Sequence, residues 1–404
     1  MISEHEARQK ILNLVQPTDA VEVALGESLH GYAAEDVHAS VPIPGFDNSM
    51  MDGYALVAAD STAASPLRVS GEQPAGRDLG LSLQRGEAVR IFTGAPMPSG
   101  ADAVIMQEDV EVTDAGEILC REPVEMGENV RRAGADLCRG QRVLTQGERL
   151  SPARLSLLAS QGRARVRMHR RPRIAVLSTG DELIPPGEDR QLAPGEVFNS
   201  NGVMIEALCR EDGIRDIDLR HCGDDFQATV ETLRQLICTH DAIILSGGVS
   251  VGDHDHVRPA LKELGISPEL WRVRVKPGKP FLFAQGQGPD GRPVSILGLP
   301  GNPVSSFVTF HLFVRGCLRR LMGAPLDVAQ TLLSPVTVSM NLTNDGDRPH
   351  YLRGRVDNGA FTPQGLQQSH ALATLAHANA LLRVEAQTSL NAGETGEALL
   401  LTGR

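Results

Sequence analysis

A chain of 404 residues outgrows a single compact core, so several domains are expected. The net charge of −11 and an aromatic content of 3% exclude a broad nucleic-acid footprint and a base-stacking platform. No apolar run approaches the roughly 20 residues of a membrane span, and the polar start "MISEHEARQK" has no signal-peptide core, so a cytoplasmic protein without a membrane partner is expected.

Ser3 and Glu6 have capping-box spacing ahead of Ile11, Leu12 and Val15, which predicts a first helix of about three turns that stops near Pro17. Over residues 39–141 short β-like runs ("PLRVS", "EAVRIF", "DAVIMQ", "EVTDAGEIL") alternate with glycine turns, the pattern of a separate β-rich domain. "SPARLSLLASQG" returns to helix, with Ser151 as cap, Pro152 in the first turn and Gly162 after the end. From 171 to 325 the pattern is strand, glycine turn, helix. "RIAVLSTGDE", "DAIILSGG" and "PVSILGLPGNP" are the strand-turn units, and "NGVMIEALCRED", "ATVETLRQLICTH" and a long apolar helix "SSFVTFHLFVRGCLRRLM" follow them. Repetition of that unit predicts a doubly wound, mostly parallel α/β sheet, with ligands beyond the carboxyl ends of its strands. Residues 326–404, with "SPVTVSMNL", "LLRVEA" and "ALLLT", read as a small C-terminal β domain. Six scattered cysteines without a CxxC pair read as reduced thiols.

Chemistry gathers at the predicted strand ends. In "LSGGVSVGDHD" (245–255), Ser246, Gly247 and Gly248 leave bare backbone that a phosphate can approach, and Ser250 and Gly252 continue the loop. Asp253 and Asp255 cannot meet a phosphate directly and make sense with a hard cation such as Mg2+ between them. A plain glycine turn before a solvated acidic loop fits the same text, and "DHDH" also has zinc-ligand residues. "STGDEL" (178–183) repeats the theme with Thr179, Asp181 and Glu182, and Asp224 and Asp225 follow the run "IDLRHCG". "VKPGKP" (275–280) places Lys276 and Lys279 on a rigid turn suited to a compact oxyanion. "GLPGNP" (298–303), with Pro300 and Pro303, leads into a helix. "FDNSMMDGYAL" (46–56) and "FTGAPMPSGADAVI" (92–105) carry Asp52 and Thr93 in turn-forming contexts.

Taken together, "FDNSMMDGYAL", "FTGAPMPSGADAV", "STGDEL", "LSGGVSVGDHD", "VKPGKPF" and "GLPGNPVSS" resemble, in order and spacing, the MoeA family of molybdopterin molybdenumtransferases, which includes the E domain of gephyrin. The strand-SGG-x-S unit is shared with molybdopterin adenylyltransferases. The resemblance implies adenylylated molybdopterin and molybdate as substrates, with Mg2+, release of AMP and formation of molybdenum cofactor. It implies catalytic roles at Asp52, Thr93, Asp136, Glu182, Asp224 and Asp255, with Glu182, Asp224 and Asp255 as metal ligands. Ser246, Gly247, Gly248, Ser250, Gly252, Pro300 and Pro303 would contact the pterin substrate. Lys276, Lys279, Arg353 in "YLRG" and Ser369 in "QSH" would bind molybdate. The family's C-terminal serine pair is replaced here by Ala373 and Thr374, and its "RDD" reads "GDD" here, which removes one positive charge near Asp224. The implied architecture is a homodimer. Residues 1–38 and 142–170 would form a discontinuous domain interrupted by the inserted domain, and the site would be shared between one copy's doubly wound domain and the other's inserted domain. A molybdopterin adenylyltransferase and apo molybdoenzymes are the implied protein partners. An adenylyltransferase activity, or a non-catalytic molybdopterin carrier or scaffold, remain the alternatives.

Overall fold

The computed structural model describes residues 1–187, 189–249 and 255–401. The chain forms two compact units, one of Asp36–Thr145 with Ser156–Arg163, the other of Met1–Glu35, Gln146–Leu155 and Ala164–Arg404.

The smaller unit is β-rich. Its four-stranded sheet runs in the order Arg68–Gln73, Glu87–Ile91, Gly53–Leu56 and Ala103–Met106. Successive strand residues point to opposite faces, so Leu56, Ala88 and Ile105 fill one core while Ala55, Val89 and Val104 fill another. Gly53 is required by the close approach of its neighbour: a Cβ there would lie 1.9 Å from the Ile105 carbonyl oxygen. "EVTDAGEIL" folds into the antiparallel pair Val110–Val112 and Ile118–Cys120.

The larger unit opens with the capping box: Ser3 Oγ accepts from Glu6 N at 3.2 Å and Glu6 Oε2 accepts from Ser3 N at 2.8 Å. The helix it starts, Glu4–Leu14, buries Ala7, Ile11 and Leu12 in the main core. Ile2–Ser3 pairs in parallel with Val273–Arg274. The central sheet uses β1 (Ile174–Thr179), β2 (Ile217–Cys222), β3 (Ala242–Ser246), β4 (Pro268–Trp271), β5 (Leu282–Gln287) and β6 (Pro293–Leu299), in the order β2-β1-β3-β6-β5-β4. The first four are parallel, and β5 and β4 are antiparallel additions. Helices α1 (Ser200–Glu211), α2 (Phe226–Thr239), α3 (Val257–Glu263) and α4 (Pro303–Thr309) cover both faces. Ile174 and Val176 pack with Ile205 of α1 and Val304 and Val308 of α4, whereas Ala175 and Leu177 pack with Leu233 of α2 and Leu261 of α3. Burial on both faces is what makes the parallel strands near-continuous apolar runs.

The expected long apolar helix after Pro303 is interrupted. It is α over Pro303–Thr309, widens to a π turn over Phe310–Val314, and resumes over Arg315–Leu321. The Thr331 hydroxyl donates to the His311 carbonyl within the widened turn at 2.8 Å, and Arg315 reaches Asp212 at 2.7 Å. The C-terminal strands close a barrel in the order Ser334–Val338, Ala360–Pro363, His350–Asp357, Ala380–Val384 and Thr395–Leu400. No helix among the described residues is long and apolar enough to cross a membrane.

Candidate functional site

The carboxyl ends of β1, β3 and β6 open into one cleft of about 580 Å3. Local backbone geometry makes it. Gly247 and Gly248 follow β3 with φ of +95° and +65°, values that residues with a Cβ rarely adopt. A Cβ on either would also crowd the Thr179 hydroxyl, at 3.0 and 2.9 Å. The floor is therefore bare main chain. Asn201, in the first turn of α1, ties two strand ends together: its Nδ2 donates to Ser246 Oγ at 2.9 Å and to the Gly301 carbonyl at 2.7 Å. Its Oδ1 is buried without a partner. Pro300, Gly301 and Asn302 form the far wall, while Pro303 opens α4.

Three of the expected carboxylates, Glu182, Asp224 and Asp255, line this cleft. Their neighbours are used locally. Asp181 Oδ1 accepts from Asp224 N at 3.0 Å, which fastens the turn after β1 to the turn after β2. Asp225 caps α2 by accepting from Ala228 N at 2.7 Å. Among the described residues no three His, Cys, Asp or Glu side chains close on a common point that would hold a metal. Ser250, Gly252 and Asp253 lie outside the described residues.

The cationic residues meet at α4. The Lys276–Lys279 turn leans on this helix: a Cβ on Gly278 would strike Thr309 Cγ2 at 2.4 Å. Lys276 N donates to Pro349 O at 2.9 Å and its carbonyl accepts from Tyr351 N at 2.8 Å, which couples the turn to the barrel. Pro280, next to Lys279, lines the cleft. Arg353, on barrel strand His350–Asp357, is 0% exposed. Its Nη2 donates to Leu366 O at 2.6 Å and Gln368 O at 3.1 Å, but Nε and Nη1 have no partner, and no carboxylate among the described residues pairs with it. The same loop continues to Ser369, whose carbonyl accepts from Val304 N at 3.2 Å. The loop of Arg353 and Ser369 is thus tied to the first turn of α4, which begins where the cleft wall ends, and the Lys276–Lys279 turn packs at the far end of the same helix, on Thr309. Burial, with the Lys276 and Arg353 charges, pushes the neighbouring His350 imidazole down to about 4. A guanidinium that is buried, unpaired and two donors short is suited to an anion.

In the smaller unit, Asp52 Oδ1 accepts from Thr93 N at 2.7 Å and Thr93 Oγ1 at 2.8 Å. These bonds hold its carboxyl below the usual range. Both residues are exposed, as are the nearby Phe46, Met50 and Met51. Asp136 is exposed too, its N–H donating to Ile43 O at 2.9 Å.

Family models match along nearly the whole chain: the MoeA N-terminal region (domain I and II) over residues 2–162, a probable molybdopterin binding domain over 175–320, and the MoeA C-terminal region (domain IV) over 335–401. Molybdopterin molybdenumtransferase of Haemophilus influenzae is 35% identical over 402 residues, which cover 98% of this chain and 97% of that one. Molybdopterin molybdenumtransferase 2 of Mycobacterium tuberculosis is 36% identical, covering 95% of each. The crystal structure of the molybdopterin biosynthesis moeA protein from Pyrococcus horikoshii OT3 superposes with a TM-score of 0.83 at 27% identity, over 99% of this chain and 100% of that one. With relatives matched end to end and the glycine-floored cleft in place, the chain belongs to the MoeA family of molybdopterin molybdenumtransferases.

Proposed function

We propose that this enzyme inserts molybdenum, supplied as molybdate, into adenylylated molybdopterin and releases AMP, as the last step of molybdenum cofactor formation. The observation that carries this reading is the meeting, at the start of α4, of the cleft wall Pro300–Asn302 with the loop that anchors buried Arg353. A pterin substrate in the cleft and an oxyanion at the arginine would then be neighbours.

The residues divide the work. Gly247 and Gly248 leave room for a phosphate against the main chain, and Ser246 and Pro300 contact the pterin. Lys276, Lys279, Arg353 and Ser369 draw in molybdate and hold it, so that part of the barrier is removed by positioning. Water attacks the anhydride phosphorus, AMP leaves, and a cleft carboxylate takes the proton of that water. Glu182 suits this role because it lies exposed beside the Thr179–Gly180 turn. The dithiolene sulfurs then displace one oxo ligand of molybdate, which departs as water with the two thiol protons. The carboxylates Glu182, Asp224 and Asp255 have the hard oxygen donors that Mg2+ prefers. They are not gathered into a ligand set among the described residues, so no step is routed through the ion.

We further propose a homodimer in which Asp52, Thr93 and Asp136 of one copy complete the cleft of the other. Exposed Phe46, Met50 and Met51 beside Asp52 offer an apolar surface for that contact. The reading places the enzyme in the cytoplasm, served by an adenylyltransferase and serving apo molybdoenzymes.

The test is incubation of the purified protein with adenylylated molybdopterin and molybdate, following AMP release and activation of an apo molybdoenzyme. Molybdate-dependent AMP release with an activated acceptor is expected. Binding without AMP release, or ATP consumption in its place, would overturn the reading.

A further inference from the structure

Behind the cleft lies a second pocket of about 310 Å3 that the reaction above does not use. Its floor is Val176 and Ser178 of β1, and its far side is Leu219 and His221 of the edge strand β2. The α1 wall is formed at Gly202 and Val203. Leu183 lines both this pocket and the cleft, and separates them.

Two independent observations mark it as a ligand site. The first is an unmet polar group. Ser178 and Ser246 are aligned neighbours in the sheet. The Ser246 hydroxyl is met by Asn201, one residue before Gly202 on α1. Ser178 and Gly202 line the pocket together, and glycine has no side chain to offer. The Ser178 hydroxyl, in a residue 1% exposed, has no hydrogen-bond partner. A buried polar group left so is destabilising, and a bound molecule that met it would relieve the cost. The second is exposed apolar surface at the mouth: Val203 is 50% exposed and Leu219 46%. The other polar side chains of the lining are engaged, Asn199 with Gly202 N, Arg220 with Asp218 and His221 with the Gly180 carbonyl, and the remaining walls are apolar, the usual make-up of a small-molecule pocket.

We propose that this pocket is a second ligand site, for a small, neutral, flat molecule that is mostly apolar and carries one hydrogen-bonding atom for Ser178. The volume accommodates a bicyclic ring. The ligand would bear on the cleft in two ways. Leu183 is the common wall, and His221 Nε2 lies 2.8 Å from the carbonyl oxygen of Gly180, in the turn that carries Glu182. Occupancy would therefore be felt at the catalytic turn without entering the cleft. The proposal is independent of the identity of the substrate.

Indole, and indene as its isostere without an N–H, serve as probes, in ligand-observed saturation-transfer NMR on the full chain. Indole is expected to bind with a dissociation constant on the order of a millimolar, as befits about nine non-hydrogen atoms in a half-open pocket. Val203→Trp, at a half-exposed helix position, should fill the mouth and abolish binding of both probes. Ser178→Ala should weaken indole about tenfold and leave indene unchanged, bringing the two together. Undiminished transfer to V203W, or an indole-to-indene ratio unaffected by S178A, would overturn the proposal. So would no transfer to the wild type at 10-fold the expected constant, with circular dichroism confirming that each protein is folded.

Discussion

Replacing Arg353 by methionine should separate anion binding from architecture. Methionine fills the guanidinium's space without its charge. The Leu366 carbonyl loses its donor, at about 1 kcal/mol, while the Gln368 carbonyl loses one of two and keeps Ala371 N. Against this, the substitution also removes Nε and Nη1, two buried donors without partners, each of which costs a similar amount. The ligand-free protein should therefore change stability by no more than about 1–2 kcal/mol. Molybdate binding should suffer far more. If both idle donors meet the oxyanion, two charge-assisted bonds disappear, about 3 kcal/mol or more, and affinity falls at least about 100-fold. Wild-type protein at a hundredfold excess of molybdate over its dissociation constant should gain about 2.7 kcal/mol of stability. R353M at the same concentration should gain almost none. Arg353→Lys keeps the charge but loses the planar fork, and should fall between the two. The assay is denaturant unfolding with and without molybdate, together with the molybdate dependence of AMP release. An R353M enzyme whose half-saturating molybdate lies within threefold of wild type would refute the assignment.

Glu182→Gln should lower kcat for AMP release by about 100-fold or more while the melting temperature stays put, since the side chain is exposed; wild-type kcat would remove Glu182 from the chemistry. Mixing inactive Asp52→Ala and Glu182→Ala proteins under subunit exchange should restore about a quarter of wild-type activity if sites are shared across a two-fold dimer; no recovery, with exchange shown by mass spectrometry of labelled copies, counts against the shared site. Gly53→Ala should destabilise the smaller unit by more than about 4 kcal/mol, because its Cβ would sit 1.9 Å from Ile105 O. Trp271, the single tryptophan, lies in the larger unit, so its fluorescence transition should hold while far-UV circular dichroism shows an early one. Because His350 is held down to about 4 when folded, the unfolded chain takes up its proton first, and stability should fall as pH drops below about 6.5. Between pH 7 and pH 5 this amounts to about 2 kcal/mol. Urea titrations of wild type and His350→Gln at both pH values test it, and equal slopes for the two would show the wrong group was named.

Local signals carried much of the fold. The Ser3–Glu6 box needs nothing beyond four residues, and it forms. "IAVLS", "AIILS" and "VSILGL" announce parallel strands because both of their faces are covered. β5, "LFAQGQ", hides itself: Gln285 donates to the Leu14 carbonyl and Gly286 lies where a Cβ would meet Ile266 at 3.1 Å, so tertiary contacts override poor strand residues. β4 and β6 each begin with a proline, which a strand tolerates at its first residue. The π turn follows from Thr331 and Arg315 finding partners across the fold, which no helical periodicity encodes. In the cleft, the glycines of the β3 turn were readable from backbone chemistry alone. Asn201 was not, since its partners stand 45 and 100 residues away. Arg353 was noticed through family likeness, but its missing partners are visible only once the barrel is closed around it.

The first helix sets a schedule for synthesis. Glu4 is buried, and its Oε1 accepts from Tyr351 Oη at 3.1 Å and from Arg383 Nε at 2.6 Å, across 379 residues of chain. At about 5–20 residues per second, the ribosome takes roughly 20–75 s to deliver Arg383 after Glu4. Until Val273 and Arg274 are made, Ile2–Ser3 has no strand to join, and the core that Ile11 and Leu12 enter lacks Leu318 and Leu321 until later still. The nascent chain thus displays a short sticky helix until most of the larger unit is made, and the Glu4 contacts close last. Early emergence with late docking makes this segment a natural client for a holding chaperone, and makes expression yield sensitive to anything fused ahead of Ile2.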